Sequence, residues 1–139
     1  MNSAHDLGGR HGFGLVAPES EQSEPVFHTD WERKALALTL ATGFLGRWNI
    51  DESRHARESQ HPVDYLRQTY YENWLSGLEK LLVEKGLITE EELKTGQALS
   101  KTNEELLSRV LKAEKVTEAI DKGSSSNLEI DTPPVFQVG

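Results

Sequence analysis

Residues 62–86, PVDYLRQTYYENWLSGLEKLLVEKG, are the stretch around which the rest of the chain is organised. Leu66, Tyr70, Trp74, Leu78 and Leu82 recur four apart, while Arg67, Glu72, Asn73, Glu79, Lys80 and Glu84 fall largely elsewhere. That is the period of an amphipathic helix, and it predicts one helix running from Pro62 to Gly86. The stripe is rich in large rings with polar tips. Tyr70, Tyr71 and Trp74 each carry a group that needs a hydrogen-bond partner once covered. The plain reading of such a stripe is core packing; a pocket or a partner surface would satisfy the polar tips as well.

The composition sets the broad class. A chain of 139 residues is one domain's worth, and its charged fraction of 27% suits a soluble globular protein. The longest apolar-leaning run, Ala35 to Leu45, is far short of the roughly 20 residues that cross a bilayer, and the opening lacks the pattern of a signal peptide. A cytoplasmic protein is expected. The formal charge of −8 and the lack of a basic stripe argue against nucleic-acid binding, which needs clustered Lys and Arg against phosphates. There is no cysteine, so this chain supplies no disulfide, thiolate metal site or cysteine nucleophile. His5, His11, His28, His55 and His61 are scattered, without the paired spacing of a zinc site, and no metal ligand is assigned to this chain.

Outward from the central stretch the chain divides into three parts. Residues 1–29 combine glycines, acidic and Ser residues and two prolines with almost no periodic apolar pattern, which describes an extended arm. The run Gly8-Gly9-Arg10-His11-Gly12-Phe13-Gly14 resembles a phosphate loop only superficially: no Lys-Ser/Thr ends it, no strand precedes it and no helix follows directly. Residues 30–122 read as a helical domain. A helix from Asp30 to about Trp48 has Trp31, Ala35, Leu38 and Leu45 on one side and Leu36, Leu40 and Phe44 on another, so between Ala35 and Leu45 it is apolar nearly all round and needs cover on most sides. Asn49 with Glu52 caps a short polar helix, Asp51 to Gln60, ended by His61-Pro62. Gly86 ends the central helix. Thr89 with Glu92 and Thr102 with Glu105 form two capping boxes, opening a short helix and then a longer one closed by Gly123. Residues 123–139 are a linker followed by the start of a strand at Val135. The fold expected is all-α, an irregular domain of four to five helices with an extended N-terminal arm and an extended C-terminal tail.

One motif suggests chemistry and fails on inspection. Glu52-Ser53-Arg54-His55 has the Glu-x-x-His spacing that supplies half of a di-iron carboxylate site, but a second copy is required and the sequence has none.

A wider pattern is more specific. The opening residues 1–9, MNSAHDLGG, are followed by Gly12-Phe13-Gly14, Glu24-Pro25-Val26-Phe27 and Trp31-Glu32. Asp51-Glu52-Ser53-Arg54, Pro62-Val63-Asp64-Tyr65-Leu66, Tyr70-Tyr71 and Trp74 complete it. In order and spacing this combination resembles the N-terminal half of the β subunit of nitrile hydratase, over almost the entire chain. The closing residues 133–139, PPVFQVG, look like the family's entry into a C-terminal SH3-like barrel. The resemblance implies half of a β subunit, split or truncated, with the barrel on a separate chain.

That family implies hydration of a nitrile to an amide at a low-spin Co(III) or Fe(III) centre. A cysteine cluster of the α subunit binds the metal, two of its cysteines being oxidised to sulfinate and sulfenate. This chain would close the site without binding metal, inside a hetero-oligomer such as a dimer of heterotrimers. By correspondence Arg54 matches a β-subunit arginine that donates hydrogen bonds to the oxidised sulfurs, Tyr70 hydrogen-bonds near the site, and Trp74, with Ile50 and Ser53, lines the substrate pocket. The arm would wrap the α subunit. A guanidinium suits the role given to Arg54, because its planar fork holds a permanent charge and engages two oxygens at once. Ser53 stands where the family commonly has an aromatic ring, and Ala56-Arg57 replaces a more apolar pair. Arg57 is the nearest competitor for the role of Arg54.

Three other readings share the resemblance or set it aside. A thiocyanate hydrolase subunit has the same architecture. An accessory protein that loads metal into the α subunit has about this length, but generally lacks the Asn-x-x-His-Asp-Leu-Gly-Gly opening present here. A bare helical interaction module would be stable and monomeric by itself.

Overall fold

A computed structural model describes residues 3–7, 11–101, 103–123 and 135–136 of the chain. Seven α-helices and one 3-10 turn occur among the described residues, with no strand, so the all-α expectation holds. In order they are α1 (Asp30–Gly43), α2 (Ile50–Glu58), α3 (Pro62–Arg67), α4 (Tyr70–Glu84), α5 (Glu90–Thr95), α6 (Glu104–Leu107), the 3-10 turn Ala113–Lys115, and α7 (Val116–Lys122).

The central stretch is two helices rather than one. The chain leaves helical geometry at Gln68 and Thr69, whose ψ angles are 144° and 170°, and α4 starts afresh with Thr69 as its N-cap. The Thr69 amide donates to the Glu72 carboxylate at 2.7 Å, a hydrogen bond that a continuous helix would not need. Leu66 therefore leaves the stripe and is exposed. The part of the stripe that does pack is Leu78, joined by Gly77 and Leu81, while Trp74 is half-buried. At its other end α4 stops where expected. Gly86 takes φ +66°, a left-handed angle that glycine adopts without strain, and the Leu87 amide turns back to the Leu82 carbonyl at 2.9 Å.

Two further spans are shorter than the sequence predicts. Helix α1 ends at Gly43 rather than near Trp48, because glycine is a poor helix former and Gly46 then adopts φ +64°. The long helix expected from Thr102 to Gly123 is divided into α6, the 3-10 turn and α7. Asn103 caps α6 by accepting from the Glu105 amide at 2.9 Å; Thr102 lies outside the described residues. The strand expected at Val135 also lies mostly outside them, and Val135 and Phe136 themselves are exposed.

Helix α4 is the axis of the packing, with α1 and α2 both laid against it. The α2–α4 pair runs antiparallel. The Lys85 ammonium meets the Glu52 carboxylate at one end, Arg57 packs on Gly77 in the middle, and Gln60 Nε2 donates to the Asn73 carbonyl at 3.4 Å near the other. Lys80 Nζ adds a 2.7 Å hydrogen bond to Ser59 Oγ. Fully covered apolar residues are few and mostly small: Ala4, Ala35, Ala56, Leu78 and Leu81. Much of α1 and its C-terminal cap stays open, with Leu38, Leu40 and the cap residue Phe44 all exposed. The first described residues fold back onto this chain. Ser3 Oγ donates to the Glu58 carbonyl at 2.9 Å, Ala4 is buried, and the His5 ring meets the edge of Tyr65. Residues 11–26 of the arm are exposed throughout.

Candidate functional site

The residues singled out in the sequence gather around the α2–α4 crossing, in two hollows that share one wall. Helix α2 is set by Asn49, whose Oδ1 accepts from the Glu52 amide while its own amide donates to the Glu52 carboxylate, both at 2.9 Å. The Lys85 ammonium and the Asn49 amide hold the Glu52 carboxyl below the usual carboxylate range, the lysine contact being the larger cause. This cap fixes the rotation of α2, so Ala56 turns inward and is buried while Arg54 is presented to solvent.

The first hollow is about 350 Å³ and mainly polar at its lining positions, with Arg54, Arg57, Tyr70, Asn73 and Trp74 on its walls. Arg54 makes no hydrogen bond or ion pair with the described residues and is exposed. Tyr70 is exposed too, at 66%. The second hollow is about 700 Å³ and more apolar, formed where α1 and the α1–α2 turn meet the crossing. Its walls include Leu40, Phe44, Trp48, Ile50 and Ser53. The five sequence-predicted positions thus divide: Arg54 and Tyr70 face the first hollow, Ile50 and Ser53 the second, and Trp74 both.

The shared wall is the pair Arg57 and Trp74, which line both hollows. The Arg57 guanidinium carbon sits 4.5 Å from the centre of the Trp74 ring, a cation–π stack, and Arg57 Nε donates to the Ser53 carbonyl at 3.2 Å. Arg57 is therefore committed to holding the crossing, whereas Arg54, three residues earlier, is left uncommitted.

The ring stripe continues beyond Trp74. Tyr70 and Trp74 have centroids 5.6 Å apart, Tyr70 and Tyr71 5.1 Å, and Tyr71 stacks on Phe27 of the arm at 5.4 Å. Arg33 of α1 lies over the Phe27 ring at 5.7 Å. Sequence reasoning did not give Phe27 this place. Its position next to an aromatic helix start is invisible from periodicity, because the arm has none.

No group of three or more His, Asp or Glu converges among the described residues in the way a metal ion needs. The polar groups around the first hollow include the guanidiniums of Arg54 and Arg57, the phenols of Tyr65 and Tyr70, the amides of Gln68 and Asn73 and one carboxylate, Glu58; with a single carboxylate and no imidazole, the set suits donation to an anionic or oxygen-bearing surface rather than chelation. No helix among the described residues is long and apolar enough to cross a membrane.

Comparison with known proteins identifies the family of the chain. The profile of the family described as nitrile hydratase beta subunit, N-terminal, matches residues 1–124. Among curated proteins, the nitrile hydratase subunit beta of Pseudomonas putida is 48% identical over 100 residues, covering 72% of this chain and 45% of the relative. The low-molecular weight cobalt-containing nitrile hydratase subunit beta of Rhodococcus rhodochrous is 36% identical over 143 aligned residues, covering 100% of this chain and 62% of the relative. The chain thus spans about half the length of these relatives. Among solved structures, a chain of the thiocyanate hydrolase from Thiobacillus thioparus, determined as a recombinant apo-enzyme, superposes with a TM-score of 0.56 at 22% identity. That match covers 98% of this chain and 72% of the other, and shows a shared fold. On the extent of the profile match, the chain belongs to the nitrile hydratase β-subunit N-terminal family.

Proposed function

We propose that this chain is the helical half of a nitrile hydratase β subunit, closing the active site over a metal centre carried by an α subunit. The observation that carries the reading is the convergence of Arg54, Tyr70 and Trp74 on one open hollow at the α2–α4 crossing. In the complex, the uncommitted Arg54 guanidinium donates to the oxidised sulfur ligands of the α-subunit centre, which a permanent, planar, five-donor group does better than an ammonium. Tyr70 offers a phenolic hydrogen bond beside it, and Trp74, Ile50 and Ser53 shape the space for the nitrile. The trivalent metal, when bound in the partner, supplies Lewis acidity. Cobalt is the metal to test first, since two relatives are named cobalt-containing β subunits.

The open apolar surface of α1 supports an assembled state, because Leu38, Leu40 and Phe44 lie uncovered on this chain. The α subunit provides that cover in the proposed complex, and an SH3-like barrel completes the β part. The setting is cytoplasmic.

The experiment is co-expression of this chain with an α-type chain and a barrel-bearing segment, purification through a tag on this chain, and assay for metal and nitrile hydration. Co-purification in fixed proportion with cobalt and activity is the expected result. Departure of this chain once metal is loaded, with activity persisting without it, would instead identify a metal-loading accessory protein. Activity on thiocyanate and none on nitriles would move the assignment to the thiocyanate hydrolase branch.

A further inference from the structure

We infer that Arg57 is a positioning residue that determines substrate size: laid over Trp74, it forms the partition between the polar and apolar hollows and limits the bulk of the nitrile's organic group. This rests on the β-subunit reading and adds to it a residue and a substrate class, nitriles of restricted bulk.

Three observations fix Arg57 in place from three directions. Its guanidinium carbon lies 4.5 Å above the Trp74 ring centre. Its Nε donates to the Ser53 carbonyl at 3.2 Å, so the peptide leading into Arg54 is held by the same side chain. Its backbone and Cγ rest against Gly77, where a β-carbon would lie 3.2 Å from the Arg57 nitrogen and 3.3 Å from its Cα. Glycine at 77 is what lets α2 approach α4 this closely, and that approach sets the arginine over the ring.

The consequence for a ligand follows from where the pair stands. Arg57 and Trp74 line both the 350 Å³ hollow, which holds Arg54 and Tyr70, and the 700 Å³ hollow, which holds Leu40, Phe44 and Ile50. A nitrile group attracted to the Arg54 side has its organic substituent directed toward this wall. A guanidinium is weakly hydrated and stacks flat, so it can serve as a wall beside apolar surface where an ammonium would hold water. Truncating it joins the two hollows and frees the Trp74 ring to turn.

The test uses the assembled complex and two probes, propionitrile and benzonitrile. Arg57→Ala is expected to raise the ratio of kcat/KM for benzonitrile over propionitrile about tenfold, the size of effect a reshaped apolar pocket produces. Arg57→Lys keeps the charge and the aliphatic stem but loses the flat stack, and is expected to move the ratio in the same direction by about threefold. A purely structural role would lower both substrates in parallel and leave the ratio alone. A second readout does not depend on turnover. Measured on this chain, in which replacing Trp31 and Trp48 by Phe leaves Trp74 as the sole indole, Arg57→Ala should increase quenching by acrylamide, with Arg57→Lys intermediate. If Arg57→Ala fails to assemble, Arg57→Met carries the same comparison, with a ratio shift in the same direction. An unmoved ratio in an active complex, or unchanged Trp74 quenching, overturns the role of Arg57 alone. A wild-type complex inactive on both nitriles overturns the β-subunit reading and this inference with it.

Discussion

Gly77 of α4 faces the backbone of Arg57 in α2 so closely that a β-carbon added there would lie 3.2 Å from the Arg57 nitrogen and press into its Cγ. Two effects compete when Gly77 becomes Ala. In a helix interior the exchange gains about 1 kcal/mol from backbone entropy and propensity. Overpacking a close helix crossing costs about 1–3 kcal/mol; here the neighbours are the Arg57 Cγ, near the root of a side chain held on Trp74 and the Ser53 carbonyl, and the Arg57 main chain behind it. The second effect wins, and Gly77→Ala is expected to destabilise the chain by about 1 kcal/mol in urea denaturation. A gain of stability would mean that α2 and α4 do not cross at this point.

Asn49 offers a test of how α2 is oriented. Its side chain accepts from the Glu52 amide at 2.9 Å and no neighbouring side chain duplicates that bond among the described residues. Asn49→Ala should cost about 1 kcal/mol, with Asn49→Asp or Asn49→Ser restoring most of it, since all three cap a helix N-terminus and alanine does not. Equal stability of Asn49→Ala and wild type would show that the cap is not what starts α2.

Glu92 gives the pH dependence. It is buried at the start of α5, and one carboxylate oxygen accepts from the Thr89 amide at 2.8 Å while the other accepts from the Leu99 and Ser100 amides at 2.8 and 3.0 Å. These bonds, the Thr89 amide first, lower its pKa to about 2. A depressed folded-state value means that the stabilisation is complete above the unfolded-state pKa of about 4.3 and is lost as the pH falls from there toward 2. The melting temperature of wild type should therefore drop across that window more steeply than that of Glu92→Gln, which should start lower at neutral pH. Parallel curves for the two proteins would contradict the clamp.

The legibility of the fold in the sequence was uneven for physical reasons. Helix α4 and its stop at Gly86 were readable because apolar spacing and a C-terminal glycine agree. The break at Gln68 and Thr69 was hidden by the same stripe, since Leu66 keeps the four-residue period into α4 without sharing its burial. Thr69-x-x-Glu72 is nevertheless the same capping signature that located α5 at Thr89-x-x-Glu92, so the information was present and was outweighed by periodicity. The five site positions came from resemblance, and the fold brings all of them to one crossing. What no pattern revealed was Arg57 over Trp74 and Phe27 against Tyr71, because both are contacts between separate segments, chosen by packing rather than spacing.

The central claim is that Arg54 acts on the partner's oxidised ligands, and the most direct measurement is kcat/KM of the assembled complex carrying Arg54→Lys, read beside its melting temperature. Arg54 is exposed and unengaged on this chain, so the substitution should leave the folding of this chain within about 0.5 kcal/mol of wild type. Loss of the planar fork at the reacting centre should lower kcat/KM about a hundredfold, as loss of a preorganised donor does elsewhere. Activity within about twofold of wild type would contradict the account, since an ammonium cannot replace a two-pronged donor at that position.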